Sequence, residues 1–461
     1  INKKGEFLED VTLADTIGGW ISHLFEYITG ALKNVTFEVY ALEDIQAADG
    51  ESEDYYKKDE LIATITTDEA GVAKLSDLPL GRYYVKEKET AEGYVLDGEI
   101  REIDLTYVDQ DTTEVTYSTD WQNKRQKVEV SVLKKEKDSD RVLEGAVFAL
   151  SAKEDITNKD GDVILEAGTV IENKATGEDG KLVFEADLPI GFSYTVKETS
   201  PAPGFATTDE VQEFTFTAES SEKATVSYEF TFEDEPTVFE FTKTSLTTGE
   251  EIEGAKLTVT DENGEIVDEW LSGKEPHIIK ELVVGQTYTM TEVLPAPGYV
   301  TAESIRFTVE DTAEVQKIEM KDDVTKVEIS KIDIAGEELP GAELSILDEN
   351  GEVVESWTST EEPHYIEMLP IGKYTLHEES APEGYLVAED VAFEVKDTGE
   401  IQRVVMKDEA EPEETPETPQ DTTSVDAPQT GDHTNILLWS ALLGLGLCGS
   451  VVAVVLRRKR K

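Results

Sequence analysis

Residues 191–205 read GFSYTVKETSPAPGF, and the same phrase returns as GRYYVKEKETAEGY (81–94), GQTYTMTEVLPAPGY (285–299) and GKYTLHEESAPEGY (372–385). Each opens on Gly, places Glu four residues after a Tyr, and closes on a Gly-Tyr or Gly-Phe corner. Tyr, Glu and the apolar residue between them share one parity: Tyr83, Val85 and Glu87; Tyr194, Val196 and Glu198; Tyr288, Met290 and Glu292; Tyr374, Leu376 and Glu378. Period-two alternation marks a strand with one buried face. The Gly and Pro that follow are turn formers. A strand-and-corner phrase met four times marks a tandem array.

Upstream of the phrase, each copy has a Gly-Ala step: Gly30-Ala31, Gly145-Ala146, Gly254-Ala255 and Gly341-Ala342. Before that lies a strand of alternating apolar residues ending in Lys, and downstream come two closing strands. The copies run 1–125, 126–236, 237–325 and 326–409. Short alternating runs between Gly, Asn and Asp turns predict an all-β chain of tandem, Ig-like antiparallel β-sandwiches. The first copy departs from the others. Its residues 10–29, DVTLADTIGGWISHLFEYIT, form an insertion in which Ile17, Trp20, Ile21, Leu24, Phe25 and Ile28 fall at helical spacing. The expectation is an amphipathic helix, packed on the sandwich or free for a partner or membrane surface.

Parity also places the polar residues. Lys3 continues the face of Ile1; Lys134 that of Val130 and Val132; Lys243 that of Phe239 and Phe241; Lys331 that of Val327 and Ile329. In the last strands, Asn123 follows Trp121, Asp234 follows Phe230 and Phe232, Asp322 follows Ile318 and Met320, and Asp408 follows Val404 and Met406. Every copy therefore aims one Lys, one Glu and one Asn or Asp inward. In the first copy Lys4 adjoins Lys3, and parity selects Lys3. Unpaired buried charges cost several kcal/mol, roughly, so these groups must pair. Pairing leaves two readings: a buried salt bridge, or a covalent product of it.

The Tyr-x-x-x-Glu box with its Gly-Tyr/Phe corner resembles the Cna protein B-type, or SpaA-like, prealbumin-fold domains of Gram-positive surface proteins and pilins, over nearly all of residues 1–409. The resemblance implies a spontaneous isopeptide bond in each copy. It would join Lys3 to Asn123, Lys134 to Asp234, Lys243 to Asp322 and Lys331 to Asp408, with Glu87, Glu198, Glu292 and Glu378 as catalysts. Asn123 would release ammonia and the three Asp residues water. Each bond forms once, so this is self-maturation and not enzymatic turnover.

Composition sets the surroundings. The 461 residues carry a formal net charge of -60, which disfavours nucleic acid and anionic membranes as partners. Cys448 is the only cysteine, so no intrachain disulfide forms, and an isopeptide bond would supply the missing covalent constraint. Residues 410–426 are an acidic Pro/Thr-rich linker with no apolar periodicity. Residues 427–461 combine Ala427-Pro428-Gln429-Thr430-Gly431, an uncharged, mostly apolar run at 436–456 long enough for one transmembrane helix, and a basic tail from Arg457 to Lys461. This order resembles the LPXTG sorting signal, with Ala427 where Leu is usual. The resemblance implies sortase cleavage between Thr430 and Gly431 and transfer of Thr430 to peptidoglycan. The membrane is then a partner only before cleavage, and the location is the cell wall of a Gram-positive bacterium.

The chain starts at Ile1 and is expected to be the C-terminal part of a longer protein. The expected function is a wall-anchored stalk, adhesin or pilus-type structural protein, with a host or extracellular-matrix ligand as a further partner of unspecified identity. Two alternatives remain: the carrier and anchor of an upstream surface enzyme, and a sortase-polymerised pilin subunit. No cofactor or metal is expected. Asn158-x-Asp160-Gly161-Asp162 lacks the acidic first position and closing Glu of an EF-hand loop. The repeated Glu-Pro-His at His277 and His364 suggests a strand opening and not a metal site.

Overall fold

The computed structural model describes residues 1–14, 20–47 and 53–412. The linker beyond residue 412, the pentapeptide Ala427, Pro428, Gln429, Thr430 and Gly431, and the apolar run 436–456 lie outside the described residues. Among those described, no helix is long and apolar enough to cross a membrane. The ordered elements are all strands, and they repeat one two-sheet sandwich four times.

In each sandwich a three-stranded sheet holds the first strand at its centre: Asn2–Leu13, Lys127–Glu136, Val238–Ser245 or Lys326–Ile332. On one side lies the last strand: Asp120–Gln122, Thr225–Asp234, Val315–Asp322 or Ile401–Lys407. That pairing is parallel in all four, whereas every other ladder is antiparallel. The facing four-stranded sheet contains the Tyr strand: Gly81–Glu89, Ser193–Ser200, Thr287–Leu294 or Gly372–Ser380. Side chains alternate along each strand, so one face per sheet closes the core. In the second module, Val130, Val132, Phe148, Leu150, Tyr194, Val196 and Phe232 share one buried cluster.

Among the described residues of 10–29, strands stand where a helix was expected, and residues 15–19 lie outside the described residues. The first strand continues to Leu13, and His23–Ala31 returns beside it as an antiparallel hairpin. The segment fits both periods. Leu24, Glu26 and Ile28 take one face, and Phe25 and Tyr27 the other. Its aromatic and β-branched residues favour strand, and the backbone of the first strand supplies hydrogen-bond partners that a helix would not use. The hairpin also reaches beyond its own module. Phe25 is buried in the second module's core, with Leu8, Val11 and Tyr27 packed against it. Ser22 bridges to Glu172, and the Asn173 N–H donates to Ile21 O at 3.1 Å.

Successive modules meet through a recurrent joint at the Gly corner. The N–H groups of Gln126, Thr237 and Thr325 donate to the carbonyls of Gly93, Gly204 and Gly298 at 2.8, 3.0 and 3.0 Å. The Thr237 and Thr325 hydroxyls donate onward to Leu282 O and Leu369 O at 2.7 and 2.6 Å. Gly298 has φ +84°, and a Cβ there would stand 2.4 Å from Met368 O. Both the left-handed backbone and the close approach require glycine.

Candidate functional site

Parallel pairing places the reactive groups. Lys134 stands opposite Phe232, and Asp234 opposite Glu136. Lys134 and Asp234 therefore sit on one face, two positions apart along the ladder. Lys243 opposite Met320, Lys331 opposite Met406 and Lys3 opposite Trp121 repeat the arrangement. The Tyr strand of the facing sheet brings Glu from across the core. All twelve side chains are between 0 % and 5 % exposed. Parity separates Lys3 from Lys4 in the same way, since Lys3 is buried and Lys4 is exposed.

The three aspartate sites share one geometry. Lys134 lies 2.9 Å from Glu198 and hydrogen-bonds to Asp234. Lys243 lies 3.0 Å from Glu292 and bonds to Asp322. Lys331 lies 2.9 Å from Glu378 and bonds to Asp408. Oε2 of each Glu accepts a backbone N–H, from Thr208, Ala302 and Ala388 at 2.9, 2.7 and 2.6 Å. Oε1 of each Glu is the atom that faces the lysine ammonium at these distances, and Oδ2 of each Asp has no hydrogen-bond partner.

One ammonium facing two carboxylates would leave a net negative charge in a dry core. A proton shared between the carboxyls removes that charge and gives the unpartnered Asp Oδ2 a partner. The pKa shifts agree in direction. Burial pushes Glu198 up to about 7 against the pull of Lys134, and the neighbouring Asp234 adds to the rise. Burial also pushes Asp322 up to about 6, and raises Asp234 and Asp408, in each case against lysine hydrogen bonds.

The asparagine site is closed differently. Lys3 Nζ donates to Glu87 Oε2 at 2.6 Å and to Asn123 Oδ1 at 2.5 Å. Asn123 Nδ2 donates to Glu87 Oε1 at 2.5 Å and to Thr90 Oγ1 at 2.6 Å. One ammonium and one carboxylate already balance. Nζ sits 5.5 Å from the Phe37 ring and 5.3 Å from that of Trp121. Burial lowers the Lys3 pKa below its ordinary value, opposed by the hydrogen bond to Glu87.

In all four sites an amine is held against a carboxyl or amide carbonyl, beside a carboxyl that can carry protons. Fixed proximity of that kind gives high effective molarity for amide formation. Sequence parity did not single out Thr90. It stands three residues after Glu87, where the other copies have Pro201, Pro295 and Ala381, and a lone hydroxyl at that offset was the available signal. The other candidates are structural. His277 and His364 open strands, stack on Trp270 and Trp357 at 4.2 and 4.3 Å, and bond to Asp268 and Glu355 at 2.8 Å. Asn158 Oδ1 accepts the N–H groups of Asp160 and Asp162 within its own turn. Among the described residues, no cluster of His, Cys, Asp and Glu could hold a metal ion.

A family model described as "SpaA: Prealbumin-like fold domain" matches residues 27–121, 128–230, 237–324 and 325–410. No curated protein sequence matches the chain. Among solved structures, the Bacillus anthracis TIE protein is similar at 23% identity and TM-score 0.36, over 87% of this chain and 75% of that one. BcpA, the major pilin subunit of Bacillus cereus, is similar at 15% identity and TM-score 0.31, over 70% of this chain and 100% of that one. The full-length major pilin SpaD from Corynebacterium diphtheriae is similar at 14% identity and TM-score 0.31, over 62% and 98%.

Proposed function

The chain belongs to the SpaA family of prealbumin-like-fold domains, and from that premise we propose that it is a load-bearing surface stalk whose modules cross-link themselves. The observation that carries this reading is the fourfold recurrence of a buried Lys–Glu–Asx cluster bridging the first and last strands. In the aspartate modules the lysine ammonium and aspartate carboxylate become an amide and one water. The shared carboxyl proton makes aspartate electrophilic, and Glu198, Glu292 or Glu378 takes the proton the amine sheds. In the first module the ammonium and the Asn123 amide become the new amide and one ammonium ion, with Glu87 moving the proton.

Parallel pairing suits the mechanical role. A pull on the chain draws the first strand by its beginning and the last strand by its end, which loads their ladder in shear. The Lys–Asx bond would carry that load directly. The tail at 427–461 supports covalent attachment of Thr430 to peptidoglycan by a sortase, which puts the stalk on a Gram-positive cell wall. The test is the intact mass of the purified full chain. A mass lower by one ammonia and three waters is expected, with linkage peptides pairing Lys3–Asn123, Lys134–Asp234, Lys243–Asp322 and Lys331–Asp408. An unshifted mass overturns the cross-linking.

A further inference from the structure

The first site differs from the other three in more than Asn for Asp. In the aspartate modules, Glu Oε2 is occupied by a backbone N–H, and the acyl side chain hydrogen-bonds to lysine. In the first module no backbone amide donates to Glu87 among the described residues. Its two oxygens are divided between Lys3 and the Asn123 amide. The second amide hydrogen goes to Thr90 Oγ1 at 2.6 Å. The Tyr phrases align without a gap from Glu to the Gly corner, so Pro201, Pro295 and Ala381 stand at the same offset and bring no hydroxyl. The hydroxyl occurs where the acyl group carries nitrogen.

Resting on the cross-linking reading above, we propose that Thr90 is a positioning residue for the amide that leaves as ammonia. An asparagine amide can turn over by exchanging its oxygen and nitrogen. Two acceptors, Glu87 Oε1 and Thr90 Oγ1, hold Nδ2 on one side and so direct Oδ1 toward the Lys3 ammonium. The reversed amide would set Oδ1 against the Glu87 carboxylate and Nδ2 against the ammonium, a repulsive pairing on both sides. The correct orientation exposes Cγ to Lys3 Nζ. As the Nζ–Cγ bond forms and the Cγ–Nδ2 bond breaks, Nδ2 leaves with its two hydrogens, gains one proton that Glu87 has taken from Lys3, and departs as ammonia. The second proton shed by the ammonium goes to solvent or converts the ammonia to ammonium. Throughout, Thr90 holds the departing nitrogen without exchanging a proton with it. An aspartate has no such nitrogen, which accounts for the absence of the hydroxyl from the other three sites.

The experiment compares Thr90→Val, Thr90→Ala and Thr90→Ser in the full chain, each with Asn123 and with Asn123→Asp. Mass spectrometry follows the Lys3–residue 123 linkage peptide with time after synthesis, and the three aspartate linkages in the same chain serve as internal controls. With Asn123, loss of the hydroxyl in the Val and Ala variants slows linkage about tenfold, the kinetic equivalent of roughly 1.4 kcal/mol, and Ser restores the rate. With Asn123→Asp, the Val and Ala variants link as fast as Thr90 does. Equal rates for Thr90 and Thr90→Val with Asn123 present overturn the assignment. Slowing in both backgrounds also overturns it, because a folding or packing role does not depend on the leaving group. A wild-type chain that loses water in three modules but no ammonia overturns it at the first site alone. A chain with no mass loss anywhere overturns the cross-linking reading itself.

Discussion

The first module and the three that follow build one site from two charge inventories. In the first, Lys3, Glu87 and Asn123 sum to zero, and every polar atom of the cluster has a partner. In the others, Lys, Glu and Asp sum to minus one until a carboxyl takes a proton, and one Asp oxygen per site stands without a partner. The difference shows where a buried site keeps its spare proton. With aspartate, burial stores it on the carboxyl pair. With asparagine, there is only one carboxylate, and the burden of desolvation falls on Lys3. On the proposed cross-linking, the same fold would acylate an amine from an acid in three modules and from an amide in the first.

Removing the lysine tests that contrast most severely. Lys134→Ala would delete the proposed cross-link and leave two carboxyls facing each other, whereas Lys3→Ala would leave Glu87 still bonded to the Asn123 amide. For sequence separations of 100 and 120 residues, losing the closed loop alone costs about 4–5 kcal/mol. Lys134→Ala should exceed this and Lys3→Ala should fall nearer to it. Module-resolved hydrogen exchange with denaturant reads both, and equal losses would break the comparison.

The hairpin is the second distinction of the first module. Phe25→Ala should cost roughly 3–5 kcal/mol, the usual range for emptying a buried aromatic site. The loss should appear in the exchange protection of the second module, whose core Phe25 fills. A loss confined to the first module would contradict the packing.

Exchanging the acyl residues sharpens the proton argument. Glu198 is raised to about 7 and Asp322 to about 6, so their protonated fraction falls as pH rises through those values. Linkage in the second and third modules should slow toward tenfold per pH unit above them. The first module, with no acid to protonate, should not slow in that range. Asn123→Asp should confer the slowing, and Asp234→Asn should abolish it. Linkage peptides quantified across pH check each module separately.

The smallest expected effect lies at the joints. Thr325→Val removes one buried hydroxyl donor to Leu369 O and should cost about 1 kcal/mol. Gln126 fills the corresponding place at the first joint, and its amide donates to Ser220 O and Lys223 O at 2.9 Å each. Gln126→Ala should cost somewhat more, because two carbonyls lose their donor. Thermal midpoints of the single variants decide the order.

Much of this was legible in the sequence because strand parity is a short-range rule. The tandem all-β sandwich follows from four alternating phrases, and the inward direction of Lys134, Glu198 and Asp234 follows from the apolar residues two and four positions away. What parity could not supply was anything decided between elements. The 10–29 segment carries both helical and strand periods, and pairing with residues beyond Gly5 settles it. Thr90 lies just after a strand, where alternation no longer specifies direction. The joints depend on N–H groups that donate to Gly-corner carbonyls of a neighbouring module, for which a single copy of the repeat contains no signal.

The parallel adjacency of first and last strands has a topological consequence. With the four bonds formed, residues 3–123, 134–234, 243–322 and 331–408 each become a closed covalent ring. A protease that cuts once inside a ring opens it without separating its two ends. Within residues 3–408, severance by one cut is then restricted to the short stretches between rings, 124–133, 235–242 and 323–330, which contain the joint and the opening of the next first strand. The exposed loops inside each ring, where hydrolysis ordinarily begins, become places where the chain can be nicked and still hold.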